Sequence, residues 1–166
     1  MIHTLFSERL LLRPFGEADL DPYAAFWTTD AARFVGGTCS RADAWRRMAM
    51  YAGHWLIRGY GIWALEERAT GRFVGQAGLW FPEGWPEPEI HWLLMGEATG
   101  RGFATEAARR VRDHARDDLG WATVISCIDP ANLASVRVAE RLGATPEREE
   151  RVGERRFVVH RHDMRR

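Results

Sequence analysis

The feature of this sequence that most restricts its fold is an abrupt change of period near the middle. Residues 89–95, running Glu89-Ile90-His91-Trp92-Leu93-Leu94-Met95, read as a strand bounded by Gly96 and Gly100. They give way at once to residues 103–119, where Ala104, Ala107, Ala108, Val111, Ala115 and Leu119 recur at spacings of three and four, with Arg109, Arg112, Arg116 and Asp117 on the other side. That stripe predicts an amphipathic helix laid on a sheet by its apolar face. The link between them is Thr99-Gly100-Arg101-Gly102. A helix opening from such a loop offers unpaired N–H groups and the positive end of its dipole, and glycines let a large anion approach the backbone. A pyrophosphate would sit there, with Arg101 adding a charge-assisted contact.

The remaining elements follow from local signals. Residues 10–15 hold a leucine run closed by Pro14, which suits a first strand; residues 19–29 place Leu20, Tyr23, Ala24, Phe26 and Trp27 at helical spacing. Ser40, three residues before Asp43, is an N-cap for a second helix that runs to the Gly59/Gly61 stop. Residues 61–67 and 72–81 flank a glycine-containing connection and read as a hairpin. Residues 122–128 are β-branched and buried in character, Asn132 caps a helix over 133–142, and Gly143 stands at its C′ position. Two strands, near 145–152 and 156–164, turn at Gly153. The expected order β, α, α, β, β, β, α, β, α, β, β implies an α/β (α+β) fold: one domain over residues 1–166, a mixed, mostly antiparallel sheet of about six to seven strands, and about four helices packed on it.

Several function classes fall away. The loop has Thr105 where a dinucleotide-binding fingerprint needs a third glycine or alanine, and a phosphate-binding P-loop needs a lysine, which this chain lacks entirely. Twenty-three acidic residues balance 23 basic ones, leaving no global field to draw the chain onto nucleic acid or an anionic membrane. Cys39 and Cys127 lie far apart with no metal-ligand spacing, so neither a zinc site nor a disulfide framework is expected. A reducing, cytoplasmic setting is the simpler expectation, since the first residues lack the basic and apolar regions of an export leader. A tight turn whose glycines serve geometry alone remains the competing reading of the loop.

Taken together, three segments carry a resemblance. Gly100-Arg101-Gly102-Phe103-Ala104-Thr105-Glu106-Ala107 resembles the acetyl-CoA pyrophosphate loop of the GNAT acetyltransferase superfamily. Asp129-Pro130-Ala131-Asn132-Leu133-Ala134-Ser135, followed by Glu140-Arg141-Leu142-Gly143-Ala144, is similar to that family's Asn-x-x-Ser segment and the Glu-Lys-Leu-Gly-Phe after it. Residues 10–15 with Glu17-Ala18-Asp19-Leu20 resemble the start of the branch that holds the ribosomal-protein N-terminal (alanine/serine) acetyltransferases. One departure is Thr99, which stands where the consensus has glutamine or arginine.

The resemblance implies an N-acetyltransferase that uses acetyl-CoA, needs no metal and acts on an amine. By that resemblance the backbone of Trp92, Leu93, Leu94 and Met95 bonds the pantetheine arm and the acetyl carbonyl. Gly100, Arg101, Gly102, Phe103, Ala104 and Thr105 hold the pyrophosphate, while Asn132 bonds the pantetheine, its other reading being a helix cap. Glu89 is the first candidate for the base and His91, facing the same side, the second; a solvent-facing carboxylate and a core-edge histidine are the alternatives. Ser135 is the candidate to protonate the departing thiolate, or else another cap. Trp80, Trp85 and Trp92 could line an acceptor pocket or belong to the core, and the acids of residues 81–88 could favour cationic amines. A homodimer is a further expectation. Two other functions stay open: a non-catalytic acyl-CoA-binding or sensing module, and a protein-interaction domain built on the same fold.

Overall fold

Every strand expected from the sequence is found, one further two-residue strand joins them at the sheet edge, and all lie in one sheet. The computed structural model describes residues 2–165, so Met1 and Arg166 of the expected 1–166 domain lie outside the described residues. The strands are β1 (Leu5–Phe6), β2 (Leu10–Arg13), β3 (Ile62–Glu67), β4 (Arg72–Trp80), β5 (Glu89–Leu94), β6 (Thr123–Ile128), β7 (Thr145–Val152) and β8 (Arg155–Asp163). The helices are α1 (Leu20–Phe26), α2 (Arg41–Arg58), α3 (Phe103–Asp117) and α4 (Leu133–Arg141). Short 3₁₀ turns occupy Glu17–Asp19, Asp30–Val35 and Gly96–Ala98.

The caps are where the sequence puts them. Ser40 Oγ accepts the Asp43 N–H at 3.1 Å, α2 stops at Gly59 in the left-handed region, and Asn132 Oδ1 accepts the Ser135 N–H at 3.2 Å. The sheet has eight strands rather than six or seven, in the order β1-β2-β3-β4-β5-β6-β8-β7. The extra strand is β1, whose Leu5 and Phe6 pair with Leu12 and Leu11. Two residues are too few to display a period of two, so only the neighbouring strand reveals it. The sequence reading assigns no element to Asp30–Val35, which forms a 3₁₀ turn.

Neighbouring strands run antiparallel everywhere except between β5 and β6, which are parallel and share a single register pair, Glu89 with Ile125. Past that point the two strands part. Helix α3 covers one face, burying Phe103, Ala107, Val111 and Ala115 with Trp63, Leu79 and Ile90. Helices α1 and α2 cover the other, burying Tyr23, Trp27, Met48 and Tyr51 with Ile62 and Leu93. Alternation along β5 therefore turns Ile90 toward α3 and Leu93 toward α1 and α2, which also sets the side on which Glu89 and His91 lie. Among the described residues no helix is long and apolar enough to cross a membrane, and no group of three or more His, Cys, Asp or Glu side chains is placed to hold a metal.

One buried histidine ties β6 and β8 beneath the parting strands. His162 lies 3.0 Å by Nε2 from Ser126 Oγ, which donates to the Ile90 carbonyl at 2.9 Å. Burial, aided by Arg112 and His160, lowers the pKa of His162 to about 4. Because the unfolded chain takes a proton near pH 6.5 and the folded one resists it, this residue's contribution to stability is lost as pH falls from 6.5 toward 4. The shift corresponds to about 3 kcal/mol. Glu89, with its raised pKa, acts with the opposite sign between 4.5 and 7, so the useful comparison is between two proteins that both contain it. His162→Gln is expected to lose less stability than the parent between pH 6.5 and 4, read by thermal unfolding across that range; parallel curves would refute it.

Candidate active site

The parting of β5 from β6 opens a narrow cleft in the middle of the sheet. Its walls include Glu89, His91 and Trp92 from β5, Ser126 and Cys127 from β6, Asn132 and Ser135 from the start of α4, and Phe34 and Val35 from the 3₁₀ turn. Met95 donates its N–H to Val74 on β4. The alternation of an extended strand then directs the backbone groups of Leu93 and Met95 at β4, and those of Trp92 and Leu94 into the gap. Of the four residues expected to offer backbone bonds, two thus face the cleft. Gly75, opposite Leu94, sits at a bulge with φ +152, and a Cβ there would lie 2.3 Å from the Leu93 carbonyl oxygen, so only glycine lets β4 follow β5.

Glu89 stands at the apex of the opening. It is only 4% exposed, and its Oε2 accepts the Cys127 N–H at 2.9 Å. The carboxylate thereby satisfies a β6 donor just where the strands separate. Burial raises its pKa to about 7, against the opposing pull of that N–H and of Trp85. Charge on Glu89 is disfavoured by the surrounding apolar medium, which makes it a proton acceptor matched to neutral pH rather than a permanent anion.

His91 lies on the same side, its Nδ1 4.0 Å from Glu89 Oε1 and therefore outside hydrogen-bond range. Gln76, fully buried on β4, donates its amide to His91 Nε2 at 2.9 Å and to Tyr51 Oη at 3.2 Å. That arrangement leaves the imidazole proton on Nδ1. Burial first, then Arg155, lowers the His91 pKa to about 4. About three pKa units separate the two candidates, and the imidazole is the weaker base of the two.

Across the cleft, Trp92 Nε1 donates to Ser135 Oγ at 3.3 Å. The Ser135 hydroxyl keeps its own proton to give, and an N–H on its oxygen favours that donation. Asn132 spends Oδ1 on the helix cap, which leaves its amide N–H groups for the cleft. Trp85 lies near Phe157, and Trp80 packs against Tyr51 and His54, so these two rings brace the surrounding elements.

At the other end of β5 lies the glycine loop. Gly100 and Gly102 have φ of +77 and +83, where any side chain is strained. Gly102 is the N-cap of α3 and offers no side-chain bond, so the first N–H groups of the helix, including those of Phe103, Ala104 and Thr105, have no cap. Thr99 Oγ1 turns back onto the Gly96 carbonyl at 2.7 Å. Arg101 is held by Glu67 and lies over the Phe103 ring, 4.5 Å from its centre. Arg9 covers the ring as well, at 4.7 Å, and anchors Glu106 of α3 through a 2.7 Å ion pair.

Sequence reasoning passes over several residues that the fold brings here. Phe34 and Val35 come from a turn it does not assign. Arg155, on β8, donates to the Phe34 carbonyl at 2.6 Å across 121 positions of sequence. Of the acids in residues 81–88, Glu87 is claimed by Arg148 at 2.9 Å and Arg161 at 2.6 Å, so its charge is already met. No local pattern announces any of these contacts.

An acetyltransferase (GNAT) domain family matches residues 9–145. The protein YkkB of Bacillus subtilis (strain 168) is 37% identical over 91 residues, 52% of this chain and 52% of that protein, so the match spans about half the length of this curated relative. An acetyltransferase from Agrobacterium tumefaciens str. C58 superposes with a TM-score of 0.90 at 34% identity, covering 98% of this chain and 95% of that one. The ribosomal L7/L12 alpha-N-protein acetyltransferase RimL, solved with coenzyme A, is 15% identical with a TM-score of 0.79 and 98% coverage of both chains, a likeness of fold.

Proposed function

Because the chain belongs to the GNAT acetyltransferase family, we propose that it carries an acetyl group from acetyl-CoA directly to a primary amine, with both substrates bound together. The observation that carries this reading is Glu89: a buried carboxyl with a pKa of about 7, at the one place where a parallel strand pair opens the sheet. Acetyl-CoA would supply the thioester whose carbonyl carbon the amine attacks.

The residues present fit such a co-substrate. The open backbone groups of Trp92 and Leu94 would bond an extended pantetheine arm as a further strand, and one of those N–H groups would face the acetyl oxygen as negative charge builds on it. The uncapped N–H groups at the start of α3 would take the pyrophosphate, with Arg101 released from Glu67 or shared with it. Asn132 would donate its amide to the arm. Glu89 would take the proton that the amine gives up as its bond to the acetyl carbon forms, and Ser135 would hand its hydroxyl proton to the sulfur as the carbon–sulfur bond breaks, taking one in turn from solvent water. His91, neutral and bonded to Gln76, would hold its place beside Glu89 without accepting the proton. That Glu89 and Ser135 line one cleft weighs against a module that only binds acyl-CoA.

The direct test is thermal unfolding with acetyl-CoA, CoA and NAD. At about 100 times the dissociation constant a ligand stabilises the fold by about 2.7 kcal/mol, or about 5–11 °C in a domain of this size. Acetyl-CoA and CoA are expected to raise the midpoint and NAD to leave it unchanged. No shift at millimolar acetyl-CoA would end the transferase reading.

A further inference from the structure

Glu89 lies on the strand face that α1 and α2 cover, and Phe34 and Val35, at the end of the 3₁₀ turn, line the same cleft. Two arginines converge on that turn from opposite elements. Arg155, from β8, holds the Phe34 carbonyl through Nη2 and lies over the Phe157 ring at 4.6 Å. Arg47, from α2, lies over the Trp27 ring at 4.2 Å, with its Nη2 only 3.4 Å from where a Cβ on Gly36 would be. Both are half-buried. Most arginines of this chain are ion-paired, yet neither of these has a carboxylate within 4.0 Å among the described residues. Glu89 and Asp129 act on Arg155 only through space, and Asp129 Oδ1 already accepts the Ala131 N–H at 2.9 Å.

Trp27 and Tyr23 are buried on the same side of the sheet and serve each other, the Trp27 N–H acting on the Tyr23 hydroxyl. Two guanidinium groups thus stand at this turn with no carboxylate in ion-pair range among the described residues. Half-buried charge is costly unless met by an opposite one. A guanidinium laid flat on an aromatic face also keeps its N–H edge free for a planar or tetrahedral anion.

We propose that the acceptor is a small amine carrying an anionic group, carboxylate or phosphate, which Arg47 and Arg155 hold across residues 34–36 while the amine reaches Glu89. Polyamines and aminoglycosides, whose charge is all positive, are then poor acceptors. The assignment rests on the transferase reading above and deepens it.

The test measures thiol release from acetyl-CoA with a matched panel: ω-amino carboxylates, their carboxamides, aminoalkyl phosphates, a polyamine and an aminoglycoside, all compared per concentration of neutral amine. The carboxylate or the phosphate is expected to exceed the carboxamide by about tenfold or more in kcat/KM, the size of a charge-assisted pair, and the better of the two identifies the anion. In Arg47→Gln and Arg155→Gln that ratio should collapse toward one, chiefly through KM, while the acetyl-CoA Kd stays within error of the parent and the variants remain folded at the assay temperature. A carboxamide or polyamine used as well as the acid overturns the proposal. So does a protein that binds acetyl-CoA and acetylates nothing in the panel, an outcome that leaves the transferase reading standing. Failure to bind acetyl-CoA at all removes the reading on which the proposal rests, and the proposal with it.

Discussion

Glu89→Gln is expected to lower kcat/KM at pH 7 by about 10²- to 10³-fold while leaving acetyl-CoA affinity and the fold intact, the range a positioned general base contributes. The substitution is close to isosteric, and a glutamine carbonyl can still accept the Cys127 N–H that bridges β5 to β6. What it removes is the group that takes the proton. In the parent, kcat/KM should rise with pH through an inflection near 7, as Glu89 ionises, and climb further as the amine itself loses its proton. In the variant the inflection near 7 should vanish and only the slope of the amine should remain. Glu89 is destabilised by its own charge above pH 7, so the variant should also be no less stable than the parent there; the sign follows from a folded pKa raised above the unfolded one. A loss under threefold, or an unchanged pH profile, would transfer the role to another group. His91, with a pKa near 4, is ill suited to inherit it.

The second large effect is expected at the glycine loop. Gly102→Glu should weaken acetyl-CoA binding by more than a hundredfold, because its carboxylate would stand where the pyrophosphate meets the uncapped N–H groups of α3. The fold should survive. A side chain at φ +83 costs about 1–2 kcal/mol, and an acid beside a helix N-terminus recovers part of it. The space is open apart from Arg9 Nη2 at 3.4 Å, the far end of a flexible side chain. At a concentration giving the parent about 2.7 kcal/mol of stabilisation, a hundredfold weaker complex yields about 0.4, so the thermal shift should nearly disappear. Gly102→Ala pays the same backbone cost without the charge and should keep most of the shift. If the glutamate variant folds and binds acetyl-CoA as the parent does, the pyrophosphate lies elsewhere.

Much of this was legible in contiguous residues. Element order, the Ser40 and Asn132 caps, the Gly59 stop and the strand–glycine–helix passage all depend on groups within four positions of one another, which a linear reading sees directly. The family likeness rests on three such segments. Leu5–Phe6 was missed for want of length, and Asp30–Val35 for want of any periodic pattern.

The chemistry of the site is of another kind. Glu89 and His91 could be named from their place on a strand, but their opposite titration depends on burial and on Cys127 and Arg155, which are distant in sequence. Glu87 looked free to attract a cation until β7 and β8 brought Arg148 and Arg161 to it. Arg47 and Arg155, unremarkable in the sequence, meet only because α2 and β8 close on the same turn. The sequence by itself determined which segments are helix, strand and turn, since caps and periodicity act over a few residues. Only the tertiary structure decided which carboxyl is poised near neutrality, which acid is already paired and which arginines lack a partner, because burial and charge act through space between residues that the chain order keeps apart.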